Sequence, residues 1–263
     1  MIITRNEESN IGRTLASVAF ADERVVVDSG STDRTLGIAR DEGATVFEEG
    51  WKGYAQQKNS AIAKASGDWI LSLDADEEVS PELAQSIRQA TVNATSNVAG
   101  YFIARRNLFL GRWIRHGGFY PDRKLRLFRR GKGEFAERAV HETMRIHGET
   151  DVLEGDLIHY AYPTLTGYIE TMNRYSSLGA EVAMQKGEVS RSFPAFLFNV
   201  RIRPALNFLW NYFFRAGFLD GREGFLLHLY HHGYVSWKYA KAWEAARKNK
   251  NSVAAETKRP PGK

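Results

Sequence analysis

Residues 71–78 read Leu-Ser-Leu-Asp-Ala-Asp-Glu-Glu, an apolar run that passes directly into a cluster of four carboxylates. The run is typical of a strand, and the carboxylates come where that strand should end. So much negative charge at a sheet edge needs a cation, and two aspartates two positions apart suit a divalent metal that also binds phosphate oxygens. We therefore interpret Asp74 and Asp76 as part of a metal-diphosphate site. The alternative is a strand followed by the acidic first turn of a helix.

The first hundred residues alternate short apolar runs with amphipathic stretches. This β-α-β-α order predicts an α/β fold with a mostly parallel sheet, covered by helices on both faces, in which residues 69–73 form the central strand. In such sheets, ligands bind at the carboxyl ends of the strands. The predicted strands are residues 2–3, 24–28, 45–47 and 69–73, and the predicted helices are residues 10–19, 32–42 and 53–65.

Further polar groups follow the other predicted strands. Asn-Glu-Glu at residues 6–8 follows the first strand, Asp-Ser-Gly-Ser-Thr-Asp at residues 28–33 follows the second, and Gln-Gln-Lys-Asn at residues 56–59 lies on the helix before the central strand. An aspartate in the position of Asp28 can accept the imide N–H of a uracil while the glycine turn contacts a ribose. The alternative is a β-to-α turn in which a hydroxyl caps the next helix.

The pattern changes after residue 100. Short strands are predicted at residues 101–103 and 125–128, and residues 105–132 carry ten arginines and lysines against one aspartate. Such a block indicates an anionic partner. Residues 166–186 have helical periodicity, and residues 193–243 combine many aromatic side chains with arginines. That last region is predicted either to lie in a membrane interface or to pack as an ordinary helical appendage.

Bulk properties exclude several classes of protein. The 263 residues include no cysteine, which rules out disulfides and thiolate sites. The first residues lack the basic segment and long apolar run of a secretory signal. No uncharged apolar run approaches the roughly 20 residues that a membrane-spanning helix needs. We therefore expect a cytoplasmic protein without a membrane span.

Four motifs, in this order along the chain, resemble glycosyltransferase family 2. The resemblance implies the GT-A fold and transfer of a sugar from a nucleotide diphosphate donor with inversion at the anomeric carbon. The motifs are Ile-Ile-Thr-Arg-Asn-Glu-Glu (2–8), Val-Val-Asp-Ser-Gly-Ser-Thr-Asp-Arg-Thr (26–35), Gln-Lys-Asn (57–59) and Leu-Ser-Leu-Asp-Ala-Asp-Glu (71–77).

Later motifs are similar to the lipopolysaccharide core β-1,4-glucosyltransferase branch of that family. With them, the resemblance covers about residues 1–240. They are Phe-Tyr-Pro-Asp (119–122), Arg-Leu-Phe-Arg-Arg (126–130), Val-His-Glu (140–142) and Gly-Phe-Leu-Asp-Gly (217–221).

The resemblance implies a role for each matching residue of the donor site. Glu7 and Asp28 flank the base, with Asp28 as the uracil partner. Lys58 approaches the diphosphate, and Asp76 holds Mg²⁺ or Mn²⁺, while Asp74 lies nearer the ribose or the waters of the metal. The donor-binding set is Thr4, Asn6, Glu7, Asp28, Ser29, Gly30, Lys58, Asp74 and Ala75.

An inverting displacement also needs one general base on the acceptor side. Glu142 is the candidate, with His141 beside it as a third metal ligand or diphosphate contact, and Asp122 is the reserve base. Without the family, Glu142 would be interpreted as an exposed glutamate paired with an arginine. His159 follows a strand-like run and could either face the site or be a hydrogen-bonded structural histidine. We interpret the histidines at 228, 231 and 232 as structural or interfacial.

The implied acceptor is an anionic glycolipid, the phosphorylated inner core of lipopolysaccharide, at the inner face of the cytoplasmic membrane. Guanidinium groups bind phosphate and carboxylate well, so Arg123, Arg126 and Arg129 are assigned to it. We predict a GT-A catalytic domain at residues 1–165, with its donor part at 1–100 and its acceptor part at 101–165. A helical and peripherally membrane-associated region follows at 166–247, and a disordered tail follows at 248–263.

Three other functions compete with this interpretation. A family 2 transferase acting on polyprenyl phosphate or another polysaccharide would share the donor site. A non-catalytic basic module that binds nucleic acid or membrane would explain the arginines, but the carboxylates at successive strand ends would repel phosphate without a metal. A nucleotidyltransferase would be expected to offer a glycine- and lysine-rich phosphate loop, and none is visible. We therefore expect no nucleic acid partner beyond the nucleotide of the donor.

Overall fold

The structure, a computed structural model, describes residues 1–92, 97–136 and 143–256. The chain divides into two compact units. The first comprises Met1–Trp113 and Phe119–Ala161, and the second comprises Ile114–Gly118 together with the chain from Tyr162 onward.

The strands lie almost entirely in the first unit. They are β1 (Ile2–Thr4), β2 (Val25–Asp28), β3 (Thr45–Glu48), β4 (Trp69–Leu71), β5 (Leu73–Asp74), β6 (Glu77–Val79), β7 (Val98–Phe109), β8 (Arg112–Trp113), β9 (Asp122–Arg129), β10 (Gly133–Ala136), β11 (Thr143–Ile146) and β12 (Glu149–Tyr162). The helices of this unit are α1 (Ile11–Ser17), α2 (Thr35–Asp41), α3 (Tyr54–Lys64) and α4 (Pro81–Val92).

A four-stranded sheet has the order β3-β2-β1-β5, and its paired strands run parallel. The alternation of strands and helices predicted this arrangement, and it is confirmed. The strand β2 has nearly continuous apolar character and all four of its residues are buried, as expected for an inner strand of a parallel sheet that is covered on both faces. The carboxyl ends of β1, β2 and β5 consequently lie next to one another.

A second sheet has the order β4-β9-β7-β12-β6, with β8 paired to β7. The pairs β4/β9, β7/β9 and β12/β6 are antiparallel. The two sheets share one core, in which apolar side chains from both pack against α1 and α4. Its members include Ile2, Leu15, Leu73, Leu83, Tyr101, Leu127 and Leu157.

The prediction of a single central strand at residues 69–73 is wrong. The chain changes sheets within this stretch, because β4 pairs with β9 while β5 pairs with β1. Ser72 lies at the crossing, fully buried, and its N–H donates to the carbonyl of Arg126 at 2.8 Å. The apolar run continues through the crossing because both sheets bury it. The carboxylates that follow do not start a helix either, since Glu77 and Glu78 belong to β6 and α4 begins only at Pro81.

The second unit is helical. Its long helices are α5 (Leu165–Gln185) and α8 (Gly221–Glu256), with the shorter α6 (Phe193–Leu197) and α7 (Arg203–Leu209) between them. Small side chains let α5 and α8 approach closely, since Ala180, Ala183 and Ala242 form one buried cluster. None of the described helices combines the length and the apolar character that crossing a membrane requires.

The end of α8 differs from the prediction. The helix continues to Glu256, into the segment 248–263 that was predicted to be disordered, and residues 257–263 lie outside the described part of the chain. The alanines and glutamate near residue 256 have high helix propensity, so a helix already formed by packing extends through them.

A buried guanidinium joins the two sheets. Arg126 on β9 is 5% exposed, and its Nη2 donates to Asp74 of β5 at 2.5 Å and to Glu77 of β6 at 2.6 Å. Glu77 is fully buried and also lies 3.3 Å from Nη1 of Arg105, while its second oxygen accepts from the N–H of Asp74 at 3.0 Å. Desolvated charges of this kind are tolerated only when they are paired. The network therefore fixes the end of β5 relative to β6 and β9.

We expect Arg126→Met to lower the free energy of unfolding by about 3–5 kcal/mol, because it removes one cation from the buried Glu77 and one from the partly buried Asp74. Arg123→Met is the matched control on the same strand, since Arg123 is exposed, and it should change stability by no more than about 0.5 kcal/mol. Urea unfolding followed by tryptophan fluorescence measures both. Equal stabilities of the two variants would contradict the structural role of Arg126.

Candidate active site

The turn after β2 is held by the carboxylate of Asp28. Its Oδ2 accepts from the N–H groups of Gly30 at 2.9 Å and Ser31 at 2.8 Å, and the hydroxyl of Ser31 donates to Oδ1. Gly30 has φ of 91°, and nothing lies within 4 Å of where a Cβ would stand. The turn is therefore preformed, and its glycine faces open space.

The contact from Asp28 to a uracil stays a prediction. The residue is 1% exposed, and three of the roughly four acceptor positions of its carboxylate are taken by its own turn. Asp28 thus forms the turn, whose open side at Gly30 is the accessible part. The sequence correctly indicated a β-to-α turn as the alternative, although the capping group differs. Asp33, rather than a hydroxyl, accepts from the N–H of Thr35 at 3.0 Å.

The ends of β1 and β2 are tied together by the predicted donor-site residues. The N–H of Ser29 donates to the carbonyl of Thr4 at 3.0 Å. Asn6 has φ of 56° and accepts from the N–H of Thr32 at 2.8 Å through Oδ1, while its own N–H donates to Ser31 Oγ at 2.8 Å. The structure thus brings Thr4, Asn6, Ser29 and Gly30 together as predicted.

Glu7 faces the other carboxylates of the strand ends. Burial raises the pKa of Glu7, the hydrogen bond from Asn10 lowers it, and the negative charges of Asp76, Asp33 and Asp74 raise it again. The nearby carboxylates thus repel the charged form of Glu7, in addition to the larger effect of its burial. A cation bound among these groups would relieve that repulsion.

Asp74 lies between two cations. Lys58 of α3 is buried, and its Nζ is 2.9 Å from Oδ1 of Asp74, while Arg126 contacts Oδ2. Burial would raise the pKa of Asp74, but the charges of Arg126 and Lys58 and their hydrogen bonds hold it well below its usual range. Ala75 contributes backbone, since its carbonyl accepts from the hydroxyl of Thr14 at 2.7 Å. Lys58, Asp74 and Ala75 are therefore gathered at the same strand end, as predicted.

Asp76 lies beside a histidine. Its Oδ2 is 3.3 Å from Nε2 of His159, and Nδ1 of the same ring is 2.7 Å from Oδ1 of Asn107. The main chain supports this pair, because the N–H of Tyr160 donates to the carbonyl of Asp76 at 3.0 Å. Of the two interpretations that the sequence left open for His159, the structure favours the one in which it faces the site. Asn107 carried no sequence signal beyond its place in the basic block.

Asp122, the reserve base, is surrounded by donors. Arg105 contacts Oδ2 at 2.5 Å, Lys124 lies 3.0 Å from Oδ1, and Nδ2 of Asn107 is 3.4 Å from Oδ2. Burial would raise the pKa of Asp122, but the charge of Arg105 and hydrogen bonds from Arg105 and Lys124 lower it to about 2. A carboxylate with so low a pKa is a weak proton acceptor near neutral pH.

The three arginines assigned to the acceptor lie in different places. Arg123 is exposed at the start of β9. Arg126 is buried in the network with Asp74 and Glu77, so the structure gives it a position other than the predicted one. Arg129 stands at the far end of β9, opposite the start of β4, where its guanidinium lies 4.6 Å above the ring of Trp69. Of the three, Arg123 alone keeps an exposed position near Asp122.

Two predicted residues, His141 and Glu142, lie outside the described residues. Within residues 1–92, 97–136 and 143–256, no three His, Asp or Glu side chains form a ready group for a metal ion. The pair formed by Asp76 and His159 nevertheless offers one oxygen and one nitrogen ligand. Their separation of 3.3 Å is close to the roughly 3 Å between neighbouring ligands of an octahedral ion at about 2.1 Å. These two residues fit one side of a divalent metal site.

Known proteins provide an independent comparison. The lipopolysaccharide core biosynthesis glycosyltransferase LpsC of Rhizobium meliloti (strain 1021) is 31% identical over 232 residues, which cover 86% of this chain and 84% of that protein. The uncharacterized glycosyltransferase RT0209 of Rickettsia typhi is 30% identical over 276 residues, covering 97% of this chain and 89% of that protein.

Among solved structures, the mannosyltransferase PcManGT from Pyrobaculum calidifontis in complex with GDP-Man and Mn²⁺ has a TM-score of 0.51 and 18% identity, with coverage of 92% of this chain and 85% of that one. This likeness concerns the fold, which is of the GT-A type. The family model described as Glycosyl transferase family 2 matches residues 1–173. The chain therefore belongs to glycosyltransferase family 2.

Proposed function

We propose that this enzyme transfers a hexose from a UDP-sugar, with inversion, to an anionic cell-envelope glycan, the phosphorylated inner core of lipopolysaccharide. The observation that carries the proposal is the convergence of Lys58, Asp74, Asp76 and His159 on the strand end beside the Asp28 turn. Cations, carboxylates and an imidazole at such an edge match the needs of a nucleotide diphosphate leaving group. The similarity to LpsC supports the choice of acceptor.

The donor would lie along the edge formed by β1, β2 and β5. In this proposal the base of the donor contacts the open side of Gly30, near Asn6 and Glu7. The ribose points toward Asp74. The diphosphate is placed between Lys58 and Asp76, where the ammonium of Lys58 can leave Asp74 for a phosphate oxygen. Asp74 would stay ionised through this exchange because Arg126 remains bound to it.

One divalent cation, Mg²⁺ or Mn²⁺, would neutralise the charge that develops on the diphosphate as the glycosidic bond breaks. Asp76 and His159 would hold it, and His141 stays a further candidate ligand. Asn107 orients the imidazole by contacting Nδ1, which leaves Nε2 toward Asp76. A fixed second contact of this kind is usual for a histidine that binds metal.

Glu142 is the proposed general base. The alternative base, Asp122, has its pKa lowered to about 2 by Arg105 and Lys124, so it would hold an acceptor proton poorly. Its contacts suit a different task, which is to keep Arg105 in place beside Glu77. Arg123 remains assigned to the anionic acceptor.

The second unit is proposed to bind the inner face of the cytoplasmic membrane peripherally. Residues 193–229 expose many large apolar side chains, which a monomeric soluble protein rarely shows in such number. Exposed arginines at 201, 203 and 222 lie among them and would meet anionic headgroups. The exposed apolar residues are Phe193, Leu197, Phe198, Ile202, Leu206, Leu209, Trp210, Phe213, Phe214, Phe218, Leu219, Phe225 and Leu229.

The donor and metal assignments are tested by nucleotide release from UDP- and GDP-sugars with delipidated core glycans and either metal. We expect release from a UDP-hexose that EDTA abolishes. Asp76→Asn should lower turnover by about 10²-fold or more, because it removes a charged metal ligand. Titration of Mn²⁺ by electron paramagnetic resonance should show weaker binding in Asp76→Asn and His159→Ala.

The matched control is Asp68→Asn, because the Asp68 side chain is 93% exposed and lies directly before β4 in the same unit. It should leave both turnover and Mn²⁺ affinity at the wild-type level. Full activity of Asp76→Asn, or release that EDTA does not affect, would refute the metal assignment. Release from a GDP-sugar only would refute the choice of UDP.

The choice of base is tested by two isosteric changes. Glu142→Gln should lower turnover by about 10²-fold or more with UDP affinity unchanged, because the amide keeps the shape but cannot accept a proton. Asp122→Asn should lower turnover less, since it disturbs only the placement of Arg105. The assignment fails if Asp122→Asn is inactive with donor still bound while Glu142→Gln turns over normally.

Membrane binding is tested by sedimentation with anionic vesicles at low salt. Replacing Phe193 and Phe214, each 75% exposed, by serine should reduce binding by about 10-fold or more without loss of stability, because about 2 kcal/mol of burial is lost for each ring. Trp51→Ser is the control, since Trp51 is 48% exposed but lies in the first unit. Equal vesicle binding by all three proteins would show that this surface does not contact lipid.

A further inference from the structure

Two aromatic side chains between the end of β3 and the first turn of α3 are exposed. Trp51 is 48% exposed and Tyr54 is 56% exposed, and their rings meet edge-on with centroids 4.8 Å apart. Both belong to the first unit, whereas the apolar surface proposed to bind the membrane belongs to the second. Whichever ring provides the edge, at least one face of the indole stays uncovered by Tyr54. An exposed, flat aromatic face of this kind is suited to contact with another ring.

The pairing of β2 with β3 places this stretch beside the Asp28 turn. Asp28 lies opposite Glu48 in the parallel register, and the N–H of Glu49 donates to the carbonyl of Asp28 at 2.9 Å. Neighbouring strands are about 4.8 Å apart, so the residues that follow β3 leave the sheet next to the glycine turn that follows β2. Trp51 comes two residues after Glu49. It therefore stands at the same edge of the sheet as that turn.

The face of α3 that carries Tyr54 is the one that meets the strand ends. Tyr54 is the first residue of α3 and Lys58 lies one turn later, so the two side chains share a face of the helix. Nζ of Lys58 is 2.9 Å from Oδ1 of Asp74, which fixes that face toward the end of β5. The helix and the strand register thus place the aromatic pair independently. Both put it beside the edge formed by β1, β2 and β5.

The loop between β3 and α3 is held on both sides of the indole. The carboxylate of Glu49 accepts from the ammonium of Lys64 at 2.6 Å and from that of Lys52 at 2.9 Å. The hydroxyl of Ser60 donates to it at 2.8 Å. These hydrogen bonds, with that from Lys64 the strongest, lower the pKa of Glu49 to about 2. On the other side, the N–H of Lys52 donates at 3.2 Å to Oε1 of the fully buried Gln57. The indole is therefore presented from an anchored backbone, which lowers the entropic cost of binding a ligand.

We propose that Trp51 stacks on the base of the donor nucleotide and that Tyr54 is a positioning residue for the indole. The proposal rests on the proposed function, in which the base contacts the open side of Gly30. Among the described residues, nothing lies within 4 Å of where a Cβ on Gly30 would stand, so the turn offers room for a flat ring. Stacking on an aromatic side chain is available to every base, because each base has a π-face. The contact therefore adds affinity for the nucleotide without selecting which base it carries.

Titration calorimetry with UDP and Mn²⁺ tests the contact. Trp51→Ser should weaken UDP binding by about 10-fold or more because it removes the ring, whereas Trp51→Phe keeps an aromatic face and should stay within about 3-fold of wild type. In turnover, Trp51→Ser should raise the KM for the donor with little change in kcat, since the base is bound equally in the ground state and the transition state. Val152→Ser is the matched control, because it removes a side chain that is 46% exposed in the same unit. It should leave UDP affinity unchanged.

A ligand without a base separates stacking from general damage to the site. Pyrophosphate with Mn²⁺ keeps the diphosphate but has no ring, so Trp51→Ser and wild type should bind it equally. UDP should quench the tryptophan emission of wild type, and Trp51→Phe should lose most of that quenching. Equal UDP affinity of Trp51→Ser and wild type would overturn the stacking role. An equal loss of affinity for pyrophosphate and for UDP would overturn it as well.

A double-mutant cycle decides whether Tyr54 acts through Trp51. Tyr54→Ala should weaken UDP binding by about 3-fold in the wild-type background. In the Trp51→Ser background it should have almost no further effect, because the two changes remove one interaction. Tyr54→Phe keeps the edge-on ring and should stay close to wild type. Additive effects of Tyr54→Ala and Trp51→Ser would refute the positioning role of Tyr54.

The proposed function can fail separately. Binding of GDP instead of UDP would refute the choice of donor, and the same variants titrated with GDP would still decide the role of Trp51, because stacking does not select the base. If the wild-type enzyme transfers hexose from a UDP-sugar while Trp51→Ser binds UDP equally well, the proposed function stands and the inference is refuted. Wild-type protein that binds no nucleoside diphosphate would refute both.

Discussion

The guanidinium of Arg126 is the constraint around which the catalytic unit is organised. It lies 5% exposed on β9 and touches the carboxylates of Asp74 and Glu77, which belong to two different sheets. The buried charges of Arg126 and Glu77 are stable only as a pair, since each one alone would carry a desolvation cost of several kcal/mol, and Asp74 adds a third, partly exposed charge. The position of β5 relative to β6 is therefore specified by charge as well as by apolar packing. A non-polar replacement of Arg126 could pack there, but it would remove one of the two cations that keep Asp74 ionised at the strand end.

The same constraint prepares the site for chemistry. Because Arg126 already neutralises one oxygen of Asp74, the ammonium of Lys58 on the other oxygen is the group that can exchange partners. Positive charge is thus held where the proposed leaving group would form, without a rearrangement of the fold. On the opposite side, Asn107 connects His159 to Asp122, so that the pair with Asp76 and the contacts of Arg105 form one continuous polar layer. The residues of this layer come from β7, β9, β12 and the turn after β5, so it forms only when these strands are assembled.

Sequence reasoning predicted the features that depend on local pattern. Alternation of strands and helices predicted the parallel sheet, and polar groups after β1, β2 and β5 predicted the edge at which the site lies. Sequence reasoning failed where the assignment of a strand to a sheet depends on which other strand pairs with it. The crossing at Ser72 is invisible because both sheets bury the run from 69 to 73. Sequence reasoning also did not predict that Asp28 is buried. A carboxylate that closes its own turn and a carboxylate that binds a ligand can have the same neighbouring residues, so the local sequence does not distinguish them.

Residues 105–132, the basic block, show why the net charge of a stretch of sequence does not predict which of its charges are unpaired on the folded surface. Residues 105–132 contain one acidic side chain, and the count indicated a surface of free arginines. Folding brings in Glu77 and Asp74 from neighbouring strands, and Asp156 from β12, so that Arg105, Arg106 and Arg126 are paired with carboxylates distant in sequence. Arg129 packs on an aromatic ring instead. The basic charge available to an anionic partner is therefore smaller than the count along the chain, and Arg123, exposed at the start of β9, belongs to it.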